Sequence, residues 1–105
     1  MQPILVTGGA GALGRLIVAQ LSAAGYPVRG MSRRASAGPD WPGVEWAQAD
    51  LETGAGLREA VGGIDVVVHA ATGGNHHTRQ IDVDGTRRLL DAAREAGVSH
   101  IIYIS

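Results

Sequence analysis

Apolar and polar positions alternate along the chain in an order that predicts strands and helices in turn. Short apolar runs, typical of buried parallel strands, cover 4–6, 28–32, 44–49, 65–71 and 100–105. Apolar residues recur at helical spacing over 12–24, 57–61 and 79–96, and a glycine follows each of these segments. This alternation indicates right-handed βαβ units on a parallel sheet.

The first predicted strand runs directly into a glycine-rich turn that opens the first helix. Residues 7–14 fit both Gly-x-Gly-x-x-Gly from Gly9 and Thr-Gly-x-x-Gly-x-x-Gly from Thr7. In either spacing one glycine forms the turn, one lets a phosphate approach the backbone, and one lets the helix pack on the strand. Backbone N–H groups and the positive end of the helix then face a pyrophosphate. The strand before the turn and the helix after it favour a dinucleotide site over a purely structural turn.

The end of the second predicted strand bears on which dinucleotide is bound. An NAD site usually has an acidic residue about 20 positions beyond the glycines, bonded to the ribose 2′-hydroxyl. This chain has Met31, Ser32, Arg33 and Arg34 there, and no acid. Serine and guanidinium groups suit a 2′-phosphate, so NADP(H) is favoured over NAD(H). The alternative is a solvated basic loop.

Two other segments have polar side chains beside the same predicted sheet edge. Asp50, followed by Leu51, either accepts a hydrogen bond from the adenine amino group or caps a turn. The loop expected over 73–78 contains His76 and His77, which either face the nicotinamide and substrate or lie on the surface. Adjacent histidines without a third ligand do not make a metal site, and none is predicted.

Composition narrows the class of protein. The 105 residues suit one small domain, and a formal net charge of −1 gives no electrostatic case for nucleic acid or an anionic membrane. The chain contains no cysteine, which excludes disulfides, thiolate metal sites and cysteine nucleophiles. No apolar run approaches the roughly 20 residues of a membrane span. The chain enters a strand without a signal-peptide pattern, so a cytoplasmic location is expected.

Several segments together resemble the N-terminal half of an extended or atypical short-chain dehydrogenase/reductase. They are residues 7–14, 50–51, 65–71, 83–86 and 97–105. Their order and spacing match that group across essentially the whole chain. The group includes sugar-nucleotide epimerases and dehydratases, as well as nitrogen-metabolite-repressor-like proteins.

The resemblance implies an α/β Rossmann-type fold, a doubly wound parallel sheet of strand order 3-2-1-4-5 that ends after the fifth strand. Cofactor is expected across the carboxyl ends of strands one, two and four. It also implies that the residues after the fourth strand line the cofactor and that His69 is packed inside. The full predicted cofactor-binding set is Gly8, Gly11, Ala12, Leu13, Gly14, Ser32, Arg33, Arg34, Asp50, Leu51, Ala70, Ala71 and Thr72.

The catalytic residues implied by the resemblance are incomplete in this chain. The family has a serine or threonine near the end of the fifth strand and a later Tyr-x-x-x-Lys. Ser105 is the last residue and stands at the edge of that site, and the chain has no lysine. Tyr103, expected inside a buried strand, cannot substitute for that tyrosine. The family often has asparagine for a water or proton relay where this chain has Asp82.

The sequence favours two function classes for the chain and leaves a third, less favoured class open. One is the NADP(H)-binding part of a reductase, dehydrogenase or epimerase, whose catalytic half and small-molecule substrate belong to a full-length parent. The second is a non-catalytic protein that senses dinucleotide, like the repressor-like branch. The third is a remnant that binds nothing. The apolar edge of the fifth strand indicates either a chain cut from a longer protein or a homo-oligomer paired through that edge.

Overall fold

The computed structural model describes residues 1–34, 41–70 and 76–104, and of residues 76–82 only the backbone. The described elements, in chain order, are β1 (Ile4–Thr7), α1 (Ala12–Ala23), β2 (Val28–Ser32), β3 (Val44–Gln48), α2 (Leu57–Val61), β4 (Val66–Ala70), α3 (His76–Ala96) and β5 (His100–Ile104). All strand pairs are parallel, and the sheet order is β3-β2-β1-β4-β5. The predicted fold class and strand order are therefore confirmed.

The central strands bury both of their faces. Successive residues of a strand point to opposite sides of the sheet. In β1, Leu5 joins a core formed with α2 and α3, whereas Val6 joins a second core under α1. β4 divides in the same way, with Val67 in the first core and Val68 in the second. This double burial explains why these strands read as continuous apolar runs rather than as alternating ones.

Strand β5 forms the expected apolar edge of the sheet, whereas the expected burial of Tyr103 is wrong. Within the described residues it pairs with β4 alone, so its other side is an edge of the sheet. The side chains of Ile102 and Tyr103 are consequently 51% and 56% exposed. An apolar run indicates a strand, but it does not report whether a neighbour covers that strand.

Helix α3 begins at His76, three residues before the predicted start at 79, so that His76 and His77 lie in a helix and not in a loop. Residues 76–78 lack the apolar residues at helical spacing by which a helix is recognised in a sequence. The boundary of a helix in the structure is defined by its backbone hydrogen bonds instead. Within the described ranges, no helix is long and apolar enough to cross a lipid bilayer.

Arg29 on β2 connects three elements through its guanidinium group. Its Nε donates to Oε1 of Glu45 on β3 at 2.8 Å. One terminal nitrogen donates to the carbonyl oxygens of Ala60 and Gly62, at 2.8 and 2.7 Å, where α2 ends. A cation at a helix C-terminus also meets the negative end of the helix dipole. The guanidinium therefore holds β2, β3 and α2 in one arrangement.

Candidate functional site

The glycine turn lies where β1 ends, directly beside the end of β4. Gly8 has φ of +63°, a left-handed conformation that glycine adopts without the steric cost met by other residues. A Cβ atom on Gly8 would stand 3.2 Å from the carbonyl oxygen of Ala70. The N–H of Gly11 donates to the Gly8 carbonyl at 3.0 Å and closes the turn. The turn thus brings the chain from the sheet to the start of α1 within a few residues.

The same turn packs tightly against both α1 and β2. A Cβ atom on Gly14 would overlap the carbonyl oxygen of Gly8, so α1 can start this close to the turn only with glycine at position 14. The N–H of Gly9 donates to the carbonyl of Met31 at 3.0 Å. These contacts fix the turn relative to the end of β2.

The N-terminus of α1 presents the features of an anion site. Its N-cap is Gly11, which gives no side-chain hydrogen bond to the first turn, and the first turn contains no acidic residue. Ala12 and Leu13 are exposed at this end of the helix. The first N–H groups of a helix and its positive dipole end attract a phosphate. The predicted role of Gly11, Ala12 and Leu13 fits this geometry.

A buried hydrogen-bonded chain joins the ends of β1 and β4 to α3. The hydroxyl of Thr7 accepts the N–H of Ala70 at 3.2 Å and is hydrogen-bonded to Nδ1 of His69 at 2.6 Å. On the other side of the ring, Nε2 is hydrogen-bonded to the hydroxyl of Thr86 at 2.9 Å. His69 is 4% exposed, so its expected packing inside the protein is confirmed. The ring of Tyr103 meets it edge-on at 5.3 Å.

The end of β2 carries the predicted phosphate-binding side chains on a fixed backbone. The hydroxyl of Ser32 accepts the N–H of Arg34 at 3.2 Å. Nε2 of Gln48 on β3 donates to the carbonyl of Arg33 at 3.1 Å. Both arginines are exposed, and their guanidinium groups carry positive charge at the sheet edge that the glycine turn also occupies.

The loop after β3 is held by Asp50. One carboxylate oxygen, Oδ1, accepts the N–H of Glu52 at 2.8 Å, so the predicted turn-capping role is confirmed. A carboxylate has a second oxygen, and the adenine contact of Asp50 and Leu51 stays a prediction.

Helix α3 supplies two residues that contact this loop and that the sequence analysis did not assign to the site, although one of them, Gly85, belongs to the matching segment 83–86. Arg88 donates to the Leu51 carbonyl at 2.9 Å. A Cβ atom on Gly85 would stand 3.0 Å from Cβ of Leu51. Arg88 is exposed, and its guanidinium reaches the loop. Gly85 and Arg88 are three residues apart and therefore lie on one face of the helix. This spacing was the signal in the sequence that could have identified them.

The structure therefore gathers most of the predicted set at one edge of the sheet. These residues lie at or just after the carboxyl ends of their strands: the glycine turn after β1, residues 32–34 at the end of β2, residues 50–51 after β3, and Ala70 at the end of β4. Ala71, Thr72 and Ser105 lie outside the described residues, as do the side chains of His76, His77 and Asp82. The glycine turn and the first turn of α1, which has no side-chain cap, fit the pyrophosphate of a dinucleotide. The fold and site together define a dinucleotide-binding domain of the Rossmann type.

Comparison with known proteins places this domain in a family. A family model described as NAD(P)H-binding matches residues 8–105. A 3-beta-hydroxysteroid dehydrogenase of Mycolicibacterium neoaurum is 33% identical over 112 residues, which cover 95% of this chain and 31% of that protein. The chain spans about a third or less of such curated relatives, with shares from 12% to 34%.

Two solved structures show the same architecture with different cofactors. A short-chain dehydrogenase/reductase superfamily protein from Agrobacterium tumefaciens, with bound NAD, is 40% identical with a TM-score of 0.73, covering 95% of this chain and 31% of that one. The Citrobacter sp. triphenylmethane reductase complexed with NADP(H) is 27% identical with a TM-score of 0.82, covering 97% and 37%. The chain belongs to the NAD(P)H-binding family, in its short-chain dehydrogenase/reductase-like part, as its motifs predict.

Proposed function

We propose that residues 1–105 form the NADP(H)-binding portion of a short-chain dehydrogenase/reductase-like oxidoreductase or sugar-nucleotide epimerase. The observation that carries the choice of NADP(H) is the end of β2, where Ser32, Arg33 and Arg34 stand at the position at which an NAD site has an acid. Similar structures contain either NAD or NADP(H), so the preference rests on this chain's own residues.

Each part of the dinucleotide has a matching part of the site. The pyrophosphate faces the turn 8–14 and the first N–H groups of α1. The 2′-phosphate meets Ser32 and the two arginines, which form charge-assisted hydrogen bonds with phosphate oxygens. The adenine lies at Asp50 and Leu51. The residues 70–72 line the cofactor beyond the end of β4.

The bound nicotinamide supplies hydride exchange, and this chain's residues bind and orient the cofactor. Glycines in the turn permit close approach of the phosphates, and the Thr7–His69–Thr86 chain fixes the end of β4 beside them. The substrate and the groups that move its protons are assigned to a longer parent protein.

The test is a calorimetric titration of the chain and of an Arg33→Ala/Arg34→Ala double variant with NADPH and NADH. Hydrogen bonds to charged groups contribute about 1.5–3 kcal/mol each, so the double variant should bind NADPH at least about tenfold more weakly. Its affinity for NADH should change little. The matched control is Arg94→Ala, at an exposed arginine in the last turn of α3. Equal losses for both cofactors would contradict the assignment.

A second candidate is a dinucleotide sensor that reads cofactor without using it. A Tyr-x-x-x-Lys motif in a native continuation beyond Ser105 would favour the enzyme, and its absence there would favour the sensor. An oxidoreductase containing this domain changes the redox state of the bound cofactor when its substrate is supplied, and an epimerase interconverts its sugar nucleotides with no net change of the cofactor. A sensor binds NADP⁺ and NADPH with different affinities and releases both unchanged.

A further inference from the structure

The segment that carries the two arginines is fixed from two directions. Within the segment itself, the Ser32 hydroxyl accepts a hydrogen bond from the N–H of Arg34. From the neighbouring strand, Gln48 lies opposite Ser32 in the β2–β3 register, and its Nε2 donates to the carbonyl of Arg33. The N–H of Ala49 also donates to the Ser32 carbonyl at 2.8 Å, which extends the pairing to the last residue of β2.

These bonds hold the backbone from which the proposed phosphate donors project. The Gln48 bond holds the peptide between Arg33 and Arg34, so it fixes the directions in which both side chains leave the backbone. The Ser32 oxygen is an acceptor toward Arg34, which leaves the hydroxyl proton to be donated to another group. A segment ordered before the ligand arrives loses less entropy on binding than one ordered by the ligand.

We propose that Gln48 is a specificity-positioning residue for the cofactor's 2′-phosphate. It does not touch the phosphate itself. It acts through the Arg33 carbonyl, by holding Ser32, Arg33 and Arg34 in the arrangement that discriminates a phosphorylated ribose from a plain one. This inference rests on the proposed preference for NADP(H).

The experiment uses two probes that differ only in the group concerned, 2′,5′-ADP and 5′-AMP. The variant is Gln48→Met, which keeps the length of the side chain and removes the donor. One lost hydrogen bond corresponds to about a three- to tenfold effect, so 2′,5′-ADP should bind about three- to tenfold more weakly, and 5′-AMP less than about twofold. The matched control is Gln20→Met, the same change at an exposed position on α1. Partial unfolding would lower both affinities together and cancel in their ratio.

A double-mutant cycle separates positioning from general weakening. In an Arg33→Ala/Arg34→Ala background, Gln48→Met should alter the ratio of the two affinities by much less, because the guanidinium groups that Gln48 positions are then absent. If the wild-type chain prefers 2′,5′-ADP and Gln48→Met leaves the ratio of the two affinities unchanged, the role of Gln48 is overturned and the NADP(H) assignment stands. A wild-type chain without that preference would overturn the proposed NADP(H) assignment and this inference with it.

Discussion

The substitution Gly14→Ala tests how closely α1 approaches the glycine turn. Alanine adds one Cβ atom, and at this position that atom overlaps the carbonyl oxygen of Gly8 and stands 2.9 Å from Cα of Gly9. Both neighbours are backbone atoms, so no side-chain rotation relieves the overlap. Either the first turn of α1 or the turn after β1 must move.

The expected change in the free energy of unfolding has two opposing contributions. Inserting an atom into a well-packed site costs about 1–3 kcal/mol, and a rigid backbone neighbour puts this case at the upper end. Alanine in a helix is favoured over glycine by about 1 kcal/mol, which offsets part of that cost. The net loss is about 2 kcal/mol, which for a chain of this size corresponds to a melting temperature lower by about 10 °C.

The assay is thermal unfolding followed by circular dichroism, with cofactor titration on the same samples. Gly11→Ala is the matched control, since a Cβ atom there meets only the Gly8 oxygen, at 3.4 Å, and the backbone at Gly11 is extended with φ of −77°. The Gly11→Ala variant should melt near the wild-type temperature. It should nevertheless bind NADPH more weakly, because the added Cβ atom hinders the approach of the pyrophosphate to the turn. A Gly14→Ala variant as stable as the wild-type chain would refute the reasoning.

Three further predictions concern contacts at other positions. Arg29→Met removes three hydrogen bonds from a partly buried guanidinium and should lower the free energy of unfolding, measured in urea, by about 2–3 kcal/mol, with Arg29→Lys intermediate. An unchanged urea midpoint would contradict the role of Arg29 in holding β2, β3 and α2 together. Arg88→Met should weaken 5′-AMP binding about threefold by loosening the Leu51 loop, whereas Arg87→Met, at the neighbouring exposed position of α3, should not. Equal affinities of the two variants for 5′-AMP would contradict the role of Arg88. If the edge of β5 pairs with a second copy, the chain should sediment as a dimer that Ile102→Arg dissociates, and a monomer at every concentration would exclude that pairing.

The order of the elements and the main cofactor loop were predictable because their signals are local. The apolar runs of β1 and β4, and the turn between Gly8 and Gly14, depend on residues next to one another in sequence. Glycine at 14 could be recognised from spacing alone, and the structure supplies the reason, an overlap with the Gly8 carbonyl.

The contacts that hold the site depend on register, which local patterns do not specify. Gln48 meets Arg33 because β3 pairs with β2 in one alignment, and a one-residue slip would turn its side chain to the other face. Arg88 reaches Leu51 because α3 crosses the loop after β3 at close range. The exposure of Tyr103 likewise depends on which strands lie beside β5. Each of these features joins residues at least 15 positions apart.

The central claim is that the carboxyl ends of β1 and β2 together hold NADP(H), and amide chemical-shift mapping tests it most directly. Addition of NADPH to the isotope-labelled chain should shift the amides of Gly11, Ala12 and Leu13, together with those of Arg33 and Arg34. NADH should shift the first group and leave the second nearly unchanged, because only NADPH carries the 2′-phosphate. Identical shifts with both cofactors, or shifts confined to residues away from these strand ends, would contradict the account.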